Sequence, residues 1–267
     1  IDQVRIYNYA RTPAQIVWEY NRGAPVAWYQ FNECSGTTAY NTARNGNNDP
    51  AGNNGTIVIG SSGSQTSAGT CNSGNSAHAW HNGTTGKRGA SLNFDGTDDY
   101  VEISDNTFLK FGSGNFSISS WFKTNTSSTA MIINKAFSGS APLYYLNVQS
   151  NGAIGVRLLG TSGAGIIDTN RGSGFNDNQW HHVVWIIDRI SNISKIFVDG
   201  TQVGSTIDIS SVTGNVDPSG ALRIGRTVSV GLPYPFPGQI DDIKIYNYAL
   251  TPEQVKLDYN GGAVRFE

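Results

Sequence analysis

Residues 1–24, IDQVRIYNYARTPAQIVWEYNRGA, return as residues 240–263, IDDIKIYNYALTPEQVKLDYNGGA, with 14 of 24 positions identical. An offset of 239 residues far exceeds the roughly 20 to 50 residues of a solenoid unit, so the repeat marks whole domains. A single sandwich has one place for a given closing segment. The expectation is a tandem array in which this chain, opening on Ile1, is a piece of something longer. It would carry the tail of one domain at 1–25 and a full domain at 26–267. Each copy reads as a strand and then a short helix. Ile243 and Ile245 share one strand face while Lys244 and Tyr246 share the other. Thr251-Pro252-Glu253-Gln254 supplies an N-cap, a proline for the first helical turn and a capping-box glutamine, and Gly261-Gly262 stops the helix. Thr12-Pro13-Ala14-Gln15 repeats the signal.

Between the two tails the chain reads as short strands at 26–31, 90–94, 100–103, 116–122, 130–134, 143–149, 153–159, 180–188, 193–198 and 221–225. Asn151-Gly152 and Asp199-Gly200 are hairpin dipeptides beside apolar runs. Many short strands, frequent turns and no long helical period point to an all-β sandwich. Residues 32–89 stand apart as a Gly/Ser/Asn-rich, loop-like insert with one apolar triplet, Ile57-Val58-Ile59. In the strand opening at Trp180, apolar residues fall on both faces, so it reads as buried on both sides, with His181 at the surface and His182 a satisfied core imidazole.

Cys34 and Cys71 lie in polar surroundings, 37 positions apart. That setting favours a disulfide over two separate buried thiols, and closing such a loop contributes about 3 to 4 kcal/mol by chain entropy. Only 14% of residues are charged and the formal net charge is −2, with no Lys/Arg run. Nucleic acid and anionic membranes therefore lack an electrostatic footprint here. No apolar run reaches the roughly 20 residues that span a bilayer, and the Ser/Thr/Asn/Gly-rich composition suits an extracellular or cell-surface protein.

Several segments taken in order resemble the laminin-G-like, concanavalin A-like lectin/glucanase superfamily. They are Trp180-His181-His182-Val183-Val184, Ile196-Phe197-Val198-Asp199-Gly200, Leu222-Arg223-Ile224-Gly225 and Gly238-Gln239-Ile240-Asp241-Asp242-Ile243-Lys244-Ile245-Tyr246. Phe94-Asp95-Gly96-Thr97-Asp98-Asp99-Tyr100-Val101 and Trp28-Tyr29-Gln30-Phe31-Asn32-Glu33 are similar to its opening strands. The resemblance covers about residues 26–262 and implies a jelly-roll sandwich of two curved antiparallel sheets, with first and last strands adjacent. The insert and the duplicated tail look like those of exported, multi-domain bacterial surface proteins.

The superfamily includes retaining glucanases, which need two carboxylates about 5 to 5.5 Å apart. The five Glu, at 19, 33, 102, 253 and 267, have no second Glu nearby, and no nucleophile or metalloprotease motif is present, so no catalytic residues are expected. His78-Ala79-Trp80-His81 reads as exposed loop rather than a metal site. The superfamily often holds Ca²⁺ at a sandwich edge, and this implies a site among Asp95, Gly96, Asp98, Asp241 and Asp242. For ligand contact the stiff loop carrying Tyr234 and Phe236 between prolines is foremost, with Tyr144, beside Tyr145, second. The expected function is a non-catalytic adhesion module for carbohydrate or a surface protein. The alternatives are a structural repeat paired with neighbouring copies by strand complementation, and, more remotely, a glycoside-acting enzyme.

Overall fold

A computed structural model of the chain describes residues 6, 7, 9–11, 16, 23–43, 53–80, 85–137, 140–228 and 233–261. Most of the first repeat copy, His81, Gly231 and Leu232 lie outside the described residues. Two antiparallel sheets face each other. The first holds β1 (Ala27–Tyr29), β4 (Leu92–Asp95), β6 (Phe116–Thr124), β12 (His181–Asp188), β13 (Ile193–Val198), β14 (Thr201–Gln202), β15 (Ile207–Asp208) and β18 (Pro237–Tyr246). Its order is β1-β18-β6-β12-β13-β14, with β4 also on β18 and β15 on β13. The second holds β2 (Thr38–Ala39), β3 (Gly55–Val58), β5 (Tyr100–Ile103), β7 (Ala130–Phe137), β8 (Ser140–Val148), β9 (Ile154–Leu159), β11 (Ile166–Arg171) and β17 (Leu222–Ile224). Its order is β11-β9-β8-β7-β17-β5-β3-β2. A ribbon of β10 (Ser162–Gly163) and β16 (Val212–Thr213) sits at one end, and α1 (Pro252–Tyr259) follows β18.

Each of the ten strands expected between the two tails forms, while the strand expected in the first repeat copy lies mostly outside the described residues; the first and last strands are adjacent, Ala27 opposite Ile245 and Tyr29 opposite Ile243. Asp199 and Gly200 both take positive φ, 51° and 77°, as the tight β13–β14 turn requires. Thr251 accepts from the Gln254 amide, and Gln254 Oε1 accepts from the Thr251 amide at 2.7 Å, so the capping box forms as read.

The insert corrects one expectation. It is not simply a loop, because β2 and β3 extend the second sheet beyond β5. Trp80 and Ala79, read as exposed, are buried in the central core, and the Trp80 indole N–H donates to the Gly36 carbonyl at 2.9 Å. The Cys34–Cys71 disulfide forms, with Cα atoms 4.8 Å apart, where Ser35 and Thr70 bridge the two segments. A small apolar nucleus, disulfide and backbone pairing together order a segment whose composition reads as loop.

Strand β12 explains the second core. Val183, Trp185 and Ile187 point between the sheets, while Val184 and Ile186 point outward to meet Phe197, Tyr246, Tyr248, Leu250 and Val255. The helix and the chain leading into it thus cover the outer face of the first sheet.

Candidate functional site

The outer face of the second sheet carries a polar row in continuous register. Arg157 pairs Tyr145, Tyr145 pairs Asn134, Asn134 pairs Arg223, Arg223 pairs Glu102, and Glu102 pairs Thr56. Directly opposed residues share a face, and five inter-strand steps of about 4.8 Å make the row about 24 Å long. Arg157 hydrogen-bonds the Tyr145 side chain, and burial raises the Tyr145 pKa against that contact. At the far end Arg223 lies 4.2 Å above the Tyr100 ring and 2.8 Å from Glu102. Between them Asn134 accepts from the Val228 amide at 3.0 Å, so the segment after β17 crosses the row and divides it into two polar-aromatic ends. Tyr234 is half-buried, with φ of 38°, and its carbonyl accepts from the Met131 amide on β7, so its backbone is pinned to this sheet.

The outer face of the first sheet instead carries a buried ionic cluster beneath the helix. A register shift between Asp241 and Lys244, with Asp242 at φ 51°, makes a bulge in β18. It lets Asp242 meet Lys244 Nζ at 2.8 Å and accept from the Trp28 indole N–H. Lys244 Nζ also reaches Asp258 Oδ1 on α1 at 2.6 Å, and Asp258 Oδ2 lies 3.3 Å from His182 Nε2. Burial pushes the Asp258 carboxyl up, but His182 and Lys244 together hold it well below the usual carboxylate range. Burial likewise opposes the Lys244 charge, and the two carboxylates outweigh it and raise that pKa. Asp241 is fully buried beside them. Its Oδ2 accepts from the Arg88 amide at 2.7 Å, its Oδ1 has no hydrogen bond, and burial pushes its pKa up to about 7. A cleft of about 550 Å³ opens between Pro25, Trp28, Tyr246 and Leu257, with Asp242, Lys244 and Asp258 in its wall.

The third cluster is acidic. Asp95, Asp98 and Asp99 bring carboxylate oxygens within 4.8 Å of one another. Backbone amides already serve them: Ser64, Gln65 and Thr97 to Asp95, Ser62 to Asp98, and Gly60 and Asp95 to Asp99. A Cβ at Gly60 would collide with the Asp98 carboxylate, so glycine there permits the approach. Burial raises Asp99 to about 6, with the Asp95 charge adding to it. Asp98 Oδ1 is buried without a hydrogen bond.

These placements revise the sequence expectations. Asp95, Gly96 and Asp98 do not converge with Asp241 and Asp242, because Pro237 is the β18 residue opposite Asp95, while Asp241 sits farther along the strand, opposite Trp121. Phe236 is fully buried, edge-on to Phe94, and Tyr144 is fully buried among Phe111 and Phe116 with its hydroxyl donating to the Leu109 carbonyl. Neither is a surface ligand contact, since alternation sends Tyr144 inward and its neighbour Tyr145 outward. The row residues Arg157, Arg223 and Glu102 were missed. Their signal was the single polar residue inside each apolar strand, visible in the sequence but without register.

Among the described residues no helix is long and apolar enough to cross a membrane. The fold is similar to that of the binding domain of Paraclostridial Mosquitocidal Protein 1, with a TM-score of 0.62 and 11% identity over 90% of this chain and 52% of that one. The botulinum neurotoxin serotype D binding domain gives 0.58 and 16% identity over 92% and 52%, and the serotype G binding domain gives 0.57 and 14% over 88% and 50%. The chain spans about half the length of these structures, and the likeness is one of fold. No curated protein sequence matches the chain. The sequence profile of a laminin G family, described as concanavalin A-like lectin/glucanases superfamily, matches residues 95–256, more than half of the chain. With two facing antiparallel sheets, adjacent terminal strands and this profile, the chain belongs to the laminin G family of the concanavalin A-like lectin/glucanases superfamily.

Proposed function

We propose that the chain is a non-catalytic, carbohydrate-binding module of an extracellular surface protein, and that it takes its ligand on the outer face of the second sheet. The register row from Arg157 to Thr56 carries this reading. It offers guanidinium donors, a carboxylate acceptor and aromatic rings held by a rigid sheet, which is the chemistry that meets hydroxyls and the apolar face of a sugar. Tyr145 and Tyr234 supply the rings at one end, and Tyr100 at the other. The relatives in fold that are binding domains support a binding role, and the disulfide supports an oxidising compartment.

A catalytic role has little to stand on. Asp242 and Asp258 share the cation of Lys244 in the cleft wall, so neither is free to act as a general acid. Asp241 has the pKa a general acid needs but is fully buried and does not line the cleft.

Glycan-array binding tests the reading: Arg157→Ala and Tyr145→Ala should each weaken the strongest hit about tenfold or more, a loss of about 1.4 kcal/mol. A folded protein that binds no glycan, or whose binding ignores both substitutions, rejects it. Calcium belongs at Asp95, Asp98 and Asp99, where the unpartnered Asp98 Oδ1 leaves a coordination point. A melting temperature that ignores both added Ca²⁺ and chelator removes calcium from the reading.

A further inference from the structure

The first copy of the repeat carries the side chains of a closing segment without the core such a segment fills. In the second copy Ile245 is buried between the sheets, and Tyr248 and Val255, the latter on α1 itself, are buried between α1 and the first sheet, with exposures of 0%, 2% and 0%. Their counterparts 239 residues earlier, Ile6, Tyr9 and Ile16, are 94%, 54% and 56% exposed. Tyr7 and Tyr9 nevertheless hold the edge-to-face arrangement of Tyr246 and Tyr248, at 5.6 Å and 66° against 5.5 Å and 68°. The polar residues of the segment repeat as well. Arg5 stands where Lys244 does, Glu19 where Asp258 does, and Thr12, Pro13 and Gln15 reproduce the capping residues Thr251, Pro252 and Gln254. The matching slot in this chain is already filled, since β18 lies between β1 and β6.

We infer that residues 1–24 are the closing strand and helix of a second copy of this fold, which they complete as residues 240–263 complete the one described. The occupant follows from side-chain function. An exposed Ile–Tyr–Ile set, a cation and an acid in the positions of Lys244 and Asp258, and the same helix cap fit a laminin G sandwich with an empty last position, and no unrelated surface would call for all of them at once.

The junction between two such domains is short and anchored. Only Pro25 separates the repeated segment, which ends in Gly23 and Ala24, from Val26, whose amide donates to the Ile245 carbonyl at 2.8 Å. The Tyr248 hydroxyl donates to the Gly23 carbonyl at 3.2 Å. The closing segment of the following domain therefore grips the point where the preceding domain ends, and proline restricts the remaining freedom. The result is an array with a 239-residue repeat and a stiff coupling at Pro25, in which the cleft beside Pro25 and Trp28 lies at every domain boundary.

A fusion of residues 25–239 in front of the full chain tests the inference, because residues 1–24 then follow a domain that lacks its own closing segment. Both domains should be folded by near-ultraviolet circular dichroism and limited proteolysis. Ile6→Asp with Tyr9→Asp should unfold the front domain and spare the rear one, and the same pair in the unfused chain should leave its melting temperature unchanged. A front domain that is unfolded with the native residues 1–24, or one indifferent to the two substitutions, overturns the inference. The outcome does not depend on which ligand the sandwich binds, so it stands or falls apart from the carbohydrate reading.

Discussion

The two outer faces of the sandwich begin from the same alternation and end in opposite states. On the first sheet Lys244 and His182 point outward from their strands and are then buried under α1, where Asp242 and Asp258 neutralise the cation. On the second sheet Arg223, Glu102, Tyr145 and Arg157 point outward and stay half-exposed. The difference is the chain that follows β18. A helix with Val255 and the preceding Tyr248 and Leu250 seals one face, and sealing turns outward polar residues into a cluster that must be satisfied internally. The open face keeps its polar groups available to a ligand.

The sharpest way to break this contrast is Asp258→Ala. It strands Lys244 and His182 beneath the helix and should cost about 3 to 5 kcal/mol, read as a lower midpoint in denaturant. A loss no larger than that of a surface substitution would mean the first face is not sealed by this cluster.

Next comes pH. The folded-state pKa of Asp241 lies above its unfolded value, so its favourable contribution is present below about pH 4 and is lost as pH rises towards 7. The total is on the order of 4 kcal/mol. His181 is raised by its Asp199 partner, with Asp177 adding and burial opposing, so its contribution also fades as pH rises above its unfolded value of about 6.5. Asp258 is depressed, and its contribution is lost as pH falls below about 4. Stability should therefore peak on the acid side of neutrality. Asp241→Asn should flatten the decline between pH 4 and 7, and melts across that range that keep the same slope would refute the assignment.

Thr251→Ala should cost about 1 kcal/mol through the lost cap, measurable as a lower melting temperature, because α1 forms the lid of the sealed face. Arg157→Ala on the open face should change stability by about 0.5 kcal/mol or less while weakening ligand binding. A large stability loss there would make the row structural and erase the contrast.

Much of the architecture was legible in residues. Ile243 and Ile245 alternating with Lys244 and Tyr246 announced β18, Thr251 to Gln254 announced the helix start, and Asp199-Gly200 announced a turn, because each is encoded within a few neighbours. The insert was misread because β2 and β3 are short and owe their order to Trp80, the disulfide and the edge of β5, none of which is local. The site was half legible. Tyr144 and Tyr145 are adjacent, and which one faces out depends on strand parity across the bulge between Met131 and Ile133 on β7, a property of pairing rather than composition.

By itself, then, the chain determined its strands, turns, helix cap, disulfide partners and duplicated closing segment, since these rest on alternation, capping chemistry and direct comparison of residues. Tertiary structure alone decided that His182, Lys244 and Asp258 form one buried cluster, joined through Asp242 by half-buried Trp28, and that Arg157, Tyr145, Arg223 and Glu102 form one open row. Those residues are far apart along the chain and meet only through sheet register, which is set by the pairing of many strands at once.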